Sequence, residues 1–264
     1  MIFDVYSNIL RKKDIMISQA LEGHITGGIW TYSPPESDTD YAVNQIVTNL
    51  ESVRELHLVK AKDDWDTDAF NVVLGLREVD PTIIHDMYEK GFRHGSVIQN
   101  DERSRRKLVN YMASLGMVVD VTGADEQVLR EIISETDFPV VATAANCYEL
   151  MPYKQNLTDS QIKAIASTGG FIGVTATSRS VHSSNPSVVT LVDHIDYLKQ
   201  LVGTSHIALG FNFIENRSAL LDCQHEGQAI NVVDELYNRG YTTTEIEAIA
   251  ATNAKRIINQ ILKA

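Results

Sequence analysis

Residues 139–174 read PVVATAANCYELMPYKQNLTDSQIKAIASTGGFIGV. The stretch opens on one apolar, β-branched run (139–143, PVVAT) and closes on another (FIGV, from Phe171). Between them, Thr158 followed by Gln161 has capping-box spacing, and Ile162, Ile165 and Ala166 share one helix face. Gly169 and Gly170 end that helix, because glycine tolerates the left-handed backbone beyond a helix terminus. Two strands that are apolar on both faces, joined by a helix, form a parallel βαβ unit with helices covering the sheet.

The same alternation extends outward. Runs at 2–6 (IFDVY), 27–32 (GGIWTY), 72–76 (VVLGL), 95–99 (GSVIQ) and 117–122 (MVVDVT) precede the stretch. A further run at 206–211 (HIALGF) follows it, making eight candidate strands. Helical patterns separate them: one over 104–115 ends at Gly116, and another ends at Gly240. The last starts at Thr242 with Glu245 three residues on and is apolar at Ile246, Ile249, Ala250 and Ile257. Eight βα units in 264 residues predict an α/β fold, a (β/α)8 TIM barrel spanning residues 1–264 as one domain. An open doubly wound sheet is the alternative, but no GxGxxG or P-loop pattern supports it. No linker or internal repeat of 20–50 residues interrupts the chain.

Composition narrows the partners. A formal net charge of −12 argues against nucleic acid, whose phosphates need a basic surface. Two cysteines are too few for a disulfide framework. The opening MIFDVYSNILRKKD has neither a basic n-region nor a long apolar core, and no window approaches a membrane span. The expectation is a cytoplasmic protein without a membrane partner.

In a barrel of this kind, chemistry sits at the C-terminal ends of the strands. Those positions hold Tyr6, Asn8, Ser33, Arg77, Glu78, Gln99, Asn100, Thr122, Asn146, Thr177 and Asn212, which are mostly amides and hydroxyls. Of the eight histidines, His24, His94 and His206 fall at or before strand starts, on the stability face. His57, His85 and His194 fall in helical stretches on the outside, leaving His182 and His225 in loops able to reach the mouth. No HExxH or HxH spacing occurs, so a metal centre is not expected from ligand supply. Cys147 and Cys223 follow strands and read either as thiols packed under loops or as nucleophiles. Asp120, inside a strand, reads either as a hydrogen-bonded structural carboxylate or as a ligand contact.

Several segments together resemble the membrane (renal) dipeptidase family. DVYSNIL is similar to that family's D-x-H-x-D-I-L opening, and LGMVVDVTGADEQVLREI to its LGM-hydrophobic-D-hydrophobic-S-H segment. FPVVATAANCYEL with NLTDSQIKAIASTGGFIGV resembles its P-V-x-x-S-H-S-N and R-N-L-T-D-x-Q-I-K-A-I-A-x-x-G-G-x-I-G-V motifs. HIDYLKQLVGTSHIALGFNF and TNAKRIINQIL resemble the closing strand and the C-terminal helix. The likeness covers nearly the whole chain and is strongest over 116–213.

The resemblance implies a metal-dependent hydrolase fold and, in active members, two zinc ions that cleave dipeptides. Carried over residue by residue, the ligands are replaced. The first-strand histidine falls on Tyr6 and the following aspartate on Asn8. The bridging glutamate falls on Arg77, or on Glu78 with a one-residue slip. The histidines after strands five and six fall on Gly123 and Ala144, and the catalytic aspartate on Asn212. The substrate-clamping arginine falls on Gln155 and the substrate-side histidine on Gln99. Asparagine is a neutral amide that neither neutralises Zn2+ nor serves as a base, and glycine and alanine donate nothing. Arg77 would repel a cation by several kcal/mol at an effective dielectric of about 20.

The expectation is a family homologue without zinc or other cofactor and without catalytic residues. Its degenerate pocket, formed by Tyr6, Asn8, Arg77, Asn100, Thr122, Asn146 and Asn212, binds a small peptide-like or carboxylate ligand unless Tyr6 and Arg77 fill it. One alternative is an active dipeptidase or amidohydrolase with a reduced or relocated metal on Glu78, His182 or Asp120, or with Cys147 as nucleophile. Another is an interaction subunit, forming a homodimer or pairing with an active paralogue.

Overall fold

The computed structural model describes residues 1–7, 17–32, 39–77, 79–98, 101–213 and 219–264. All strand pairings among these residues are parallel. The strands are β1 (Ile2–Ser7), β2 (Ile25–Tyr32), β3 (Leu56–Leu58), β4 (Phe70–Leu76), β5 (Phe92–Ser96), β6 (Val118–Asp120), β7 (Val140–Val141), β8 (Ile172–Val174) and β9 (Ile207–Leu209). Eight of them run β7-β6-β5-β4-β2-β1-β9-β8, with β3 paired to β4 off this path. Between the two ends, a parallel bridge joins Ala142 to Ile172; Ala142 N donates to Phe171 O at 3.0 Å and Gly173 N to Ala142 O at 2.7 Å. The expected barrel is therefore the observed architecture.

Among the described residues, eleven α-helices lie between and around the strands: α1 (Ile17–Glu22), α2 (Thr39–Glu51), α3 (Ile84–Glu89), α4 (Glu102–Leu115), α5 (Glu126–Ser134), α6 (Asp159–Ser167), α7 (Ser178–Val181), α8 (Val188–Val202), α9 (Ile230–Asn238), α10 (Thr243–Glu247) and α11 (Asn253–Ile261). The Thr158–Gln161 and Thr242–Glu245 capping boxes form as the sequence predicts. Gly116 ends α4 at φ +78°. The final helix is not continuous, since a π-helical turn (Ala248–Thr252) separates α10 from α11.

Side chains alternate strictly enough to divide the barrel interior into layers. Phe3, Val5, Ile29, Val73, Val118, Val141, Phe171 and Ala208 form one apolar cluster with Ala254, Ile257, Ile258 and Ile261 of α11, which plugs the bottom. Further along, the inward positions turn polar: Asp120 follows Val118 and Thr143 follows Val141 by two residues, and Thr175 and Thr177 follow Phe171 after Gly173. The outward positions Val119, Val140, Ile172 and Leu209 pack against the helices.

Two strand readings need correction. β5 starts at Phe92, three residues before the expected 95–99 run. Arg93 and His94 look too polar for a strand, but Arg93 satisfies its guanidinium on the carbonyls of Lys60 (2.5 Å) and Tyr88 (2.7 Å). His57 is on β3 rather than in a helix: β3 pairs with Phe70–Val72 of β4, below the point where β5 joins at Leu74.

Candidate functional site

At the C-terminal mouth of the barrel lies a cavity of about 400 Å3, a volume within the range of small-molecule sites. Tyr6, Arg77, Thr122 and Asn212 of the expected set line it, as do Gly123, Ala144 and Gln155. The cavity is therefore not filled by Tyr6 and Arg77. Alternation from Phe3 and Val5 would point Ser7 inward. A register shift between Asp4 and Ser7 instead gives that place to Tyr6, whose N–H donates to Asp4 Oδ1 at 3.2 Å. Asn212 sits in the left-handed region (φ +55°), which asparagine adopts more readily than most residues. Its backbone N–H donates to Tyr6 O at 3.0 Å and its Nδ2 to Thr177 Oγ1 at 3.3 Å.

Asn146 is not part of the lining. It is fully buried, with Nδ2 donating to Thr175 O (3.0 Å) and Ser180 Oγ (3.1 Å) and Oδ1 accepting from Thr175 N (3.1 Å). Its own N–H donates to Asn156 Oδ1 at 3.3 Å, and Asn156 Nδ2 donates to Ser180 O at 2.8 Å. Asn146 and Asn156 thus brace the segment carrying Tyr153, Lys154 and Gln155 to α7, which carries Arg179. Asn8, Ser33, Glu78, Gln99 and Asn100 lie outside the described residues.

The floor of the cavity holds a feature the sequence reading put at the wrong end. His94 lines the cavity instead of the stability face, because β5 begins earlier than expected. Its Nε2 lies 3.2 Å from Asp120 Oδ2, with both side chains 1% exposed. Its Nδ1 has no hydrogen-bond partner and rests against Gly75, where an added Cβ would come within 2.4 Å of it.

Asp120 is held from several sides. Oδ1 accepts from Thr122 N (2.8 Å), Thr122 Oγ1 (2.7 Å) and Thr143 N (3.3 Å), and Oδ2 from Thr143 Oγ1 (2.5 Å). Burial pushes this carboxyl up, but the His94 imidazole and the two threonine hydroxyls outweigh it and keep the group below the ordinary carboxylate range. Asp120 is therefore an ionised group whose lone pairs are already occupied.

The other candidates are placed elsewhere. His194 faces inward from α8: Nδ1 accepts from Cys147 N (3.2 Å), so Nε2 carries the proton donated to Val181 O (2.9 Å), and burial lowers its pKa. Cys147 and Cys223 are buried, and burial pushes both thiols up to about 12, which disfavours the thiolate that a nucleophile needs. His182 Nδ1 accepts from Ser184 N and Asn185 N, and neither it nor His225 is in the lining. Lys154 and Arg179, which the sequence reading passed over, are in the lining; each follows a strand, which is the signal that marked Arg77.

A pair of zinc ions needs several imidazole and carboxylate donors converging on one point. The described lining offers one imidazole, His94, and one carboxylate, Asp120. Among the described residues no three His, Cys, Asp or Glu side chains are grouped so as to hold a metal. That donor set does not fit a binuclear zinc centre.

The model of the membrane dipeptidase family, peptidase family M19, matches residues 103–264, more than half of the chain. The chain belongs to the membrane dipeptidase family. A Klebsiella pneumoniae protein, described as an uncharacterized protein in the pqqA 5′ region, is 34% identical over 111 residues. That alignment covers 40% of this chain and 41% of that protein's length.

Solved dipeptidases share the fold. Dipeptidase AC, a metallopeptidase, superposes with a TM-score of 0.88 at 14% identity, covering 100% of this chain and 99% of its own. A Rhodobacter sphaeroides metallopeptidase, solved with a phosphinate mimic of L-Ala-D-Ala, gives 0.86 at 14% identity over 98% and 99% of the two chains. The probable dipeptidase PvdM from Pseudomonas aeruginosa gives 0.85 at 15% over 99% and 95%. At these identities the likeness shows the dipeptidase fold alone. Among the described residues no helix is long and apolar enough to cross a membrane.

Proposed function

We propose that this dipeptidase-family member does not hydrolyse dipeptides through two zinc ions and that its cavity binds a small carboxylate-bearing ligand. One observation carries the reading: the cavity persists at the barrel mouth, but among the described residues its polar wall presents the cation Arg77 and a single saturated carboxylate where two metals would need anionic donors. Metal hydroxide attack requires the metals, and Asn212 supplies no carboxylate to take a proton. Arg77 makes no ion pair among the described residues, and its planar fork suits a carboxylate.

The test is elemental analysis of protein equilibrated with zinc and then dialysed, together with a dipeptide hydrolysis assay with and without chelator. The expected result is far less than one zinc per chain and no chelator-sensitive turnover. Two retained zinc ions with turnover would refute the non-hydrolytic reading. Calorimetry with short carboxylates tests the binding half, and Arg77→Gln should weaken the binding roughly ten- to hundredfold.

A further inference from the structure

We infer that the cavity takes a short dicarboxylate, gripped at both ends, in preference to the zwitterionic dipeptides that a dipeptidase pocket would hold. The inference rests on the carboxylate-binding reading above and specifies its ligand class.

Charge is the first observation. The chain has a net charge of −12, yet among the described residues the mouth cavity is lined by three cations, Arg77, Lys154 and Arg179, against one carboxylate, Asp120. Among the described residues, Arg77 and Lys154 make no ion pair, and Arg179 meets the Tyr153 ring, its guanidinium carbon 5.5 Å from the centroid. Cations left without partners at a concave mouth favour anions by focusing the field there.

Asp120 gives the second. A dipeptide brings an ammonium group as well as a carboxylate, and the ammonium needs an acceptor with free lone pairs. Asp120 is 1% exposed and already accepts four hydrogen bonds from Thr122 and Thr143 while His94 stands at 3.2 Å. No other carboxylate stands in the described lining. Burying an unpaired ammonium beside three cations is costly, so the zwitterion is disfavoured at that end.

Topology supplies the third. Arg77 follows β4, and Arg179 opens the turn after β8, four places away in the eight-strand ring. Lys154 lies in the segment after β7, the neighbour of β8 across the Ala142–Ile172 bridge. The strand ends that carry them therefore stand on opposite sides of the mouth. A single anionic group reaches one side, whereas a molecule charged at both ends reaches both. Asn146, Asn156 and Ser180 fix the Lys154 and Arg179 side through buried hydrogen bonds.

Isothermal titration calorimetry of the full chain tests this with succinate, glutarate, acetate, inorganic phosphate and L-Ala-L-Ala at one pH and ionic strength. One of the dicarboxylates is expected to bind at least tenfold more tightly than acetate, phosphate and the dipeptide. Arg77→Gln alone, and Lys154→Gln with Arg179→Gln, should each weaken that dicarboxylate by roughly ten- to hundredfold, the worth of one charged hydrogen-bond pair. Circular dichroism melts of the unliganded variants should match the parent, since Lys154 and Arg179 are exposed. Dipeptide or acetate binding as tight as the dicarboxylate would overturn the inference and leave the carboxylate pocket standing. Phosphate binding equally tightly, with loss only on the Arg77 side, would overturn the two-ended grip. Binding by none of the five would overturn both readings.

Discussion

Asp4 should make this barrel less stable as pH rises toward neutrality, and Asp4→Asn should relieve it. Asp4 lies on β1, is 2% exposed and faces a small gap shared with Ser7, Trp30 and Glu226. Burial pushes its carboxyl from 3.8 up to about 8; the N–H groups of Tyr6 and Phe211 oppose the rise, and the Glu226 charge adds to it.

The unfolded chain releases this proton near 3.8, while the folded chain keeps it until about 8. Folding therefore takes up a proton across that window, and raising the pH opposes it. At about 1.36 kcal/mol per unit, stability falls by up to about 4 kcal/mol between pH 4 and 7 and levels off above pH 8. Asparagine keeps Oδ1 to accept from Tyr6 N (3.2 Å) and Phe211 N (3.0 Å) and has no proton to lose. Urea unfolding followed by circular dichroism at pH 5, 6, 7 and 8 should show the variant gaining on the parent at each step, by more than about 2 kcal/mol across the series. A constant difference from pH 5 to 8 would refute the reasoning.

Three further outcomes are expected. Native protein at pH 8 should resist thiol reagents, because Cys147 and Cys223 are buried with pKa values of about 12, leaving about one thiolate in ten thousand; labelling of both should appear only with denaturant. Gly75→Ala places a Cβ within 2.4 Å of His94 Nδ1 and should cost about 1–3 kcal/mol in a urea melt, with the His94 imidazole NMR signals displaced. Asn146→Ala removes the side-chain bonds to Thr175 and Ser180 and should cost about 2–4 kcal/mol, with faster proteolysis in the 148–157 segment.

Much of the architecture was legible because its causes are local. Thr158 and Thr242 cap helices through residues three positions on, and Gly116 stops α4 through its own backbone freedom. Where a strand's identity depends on what lies beside it, the reading slipped. Phe92–Ser96 carries an arginine and a histidine, and these become strand residues once carbonyls from neighbouring segments accept the Arg93 protons and Asp120 meets His94. Leu56–Leu58 is three residues long and exists as a strand through its pairing with β4.

The candidate site divides in the same way. Tyr6, Gly123, Ala144 and Asn212 are matters of residue identity, so sequence determined which side chains stand at those points of the mouth. Tertiary structure decided which groups converge there. Asn146 looked like lining and proved to be a buried brace, whereas His94 looked remote and proved to be the floor. Lys154 and Arg179 became part of the site through the closure of β8 onto β7. Composition and spacing determine what a side chain is able to do. Its neighbours, whether Asp120 on the paired strand for His94 or the residues after β7 and β8 that share the mouth with Arg77, are set by the pairing and closure of the sheet, which no local pattern encodes.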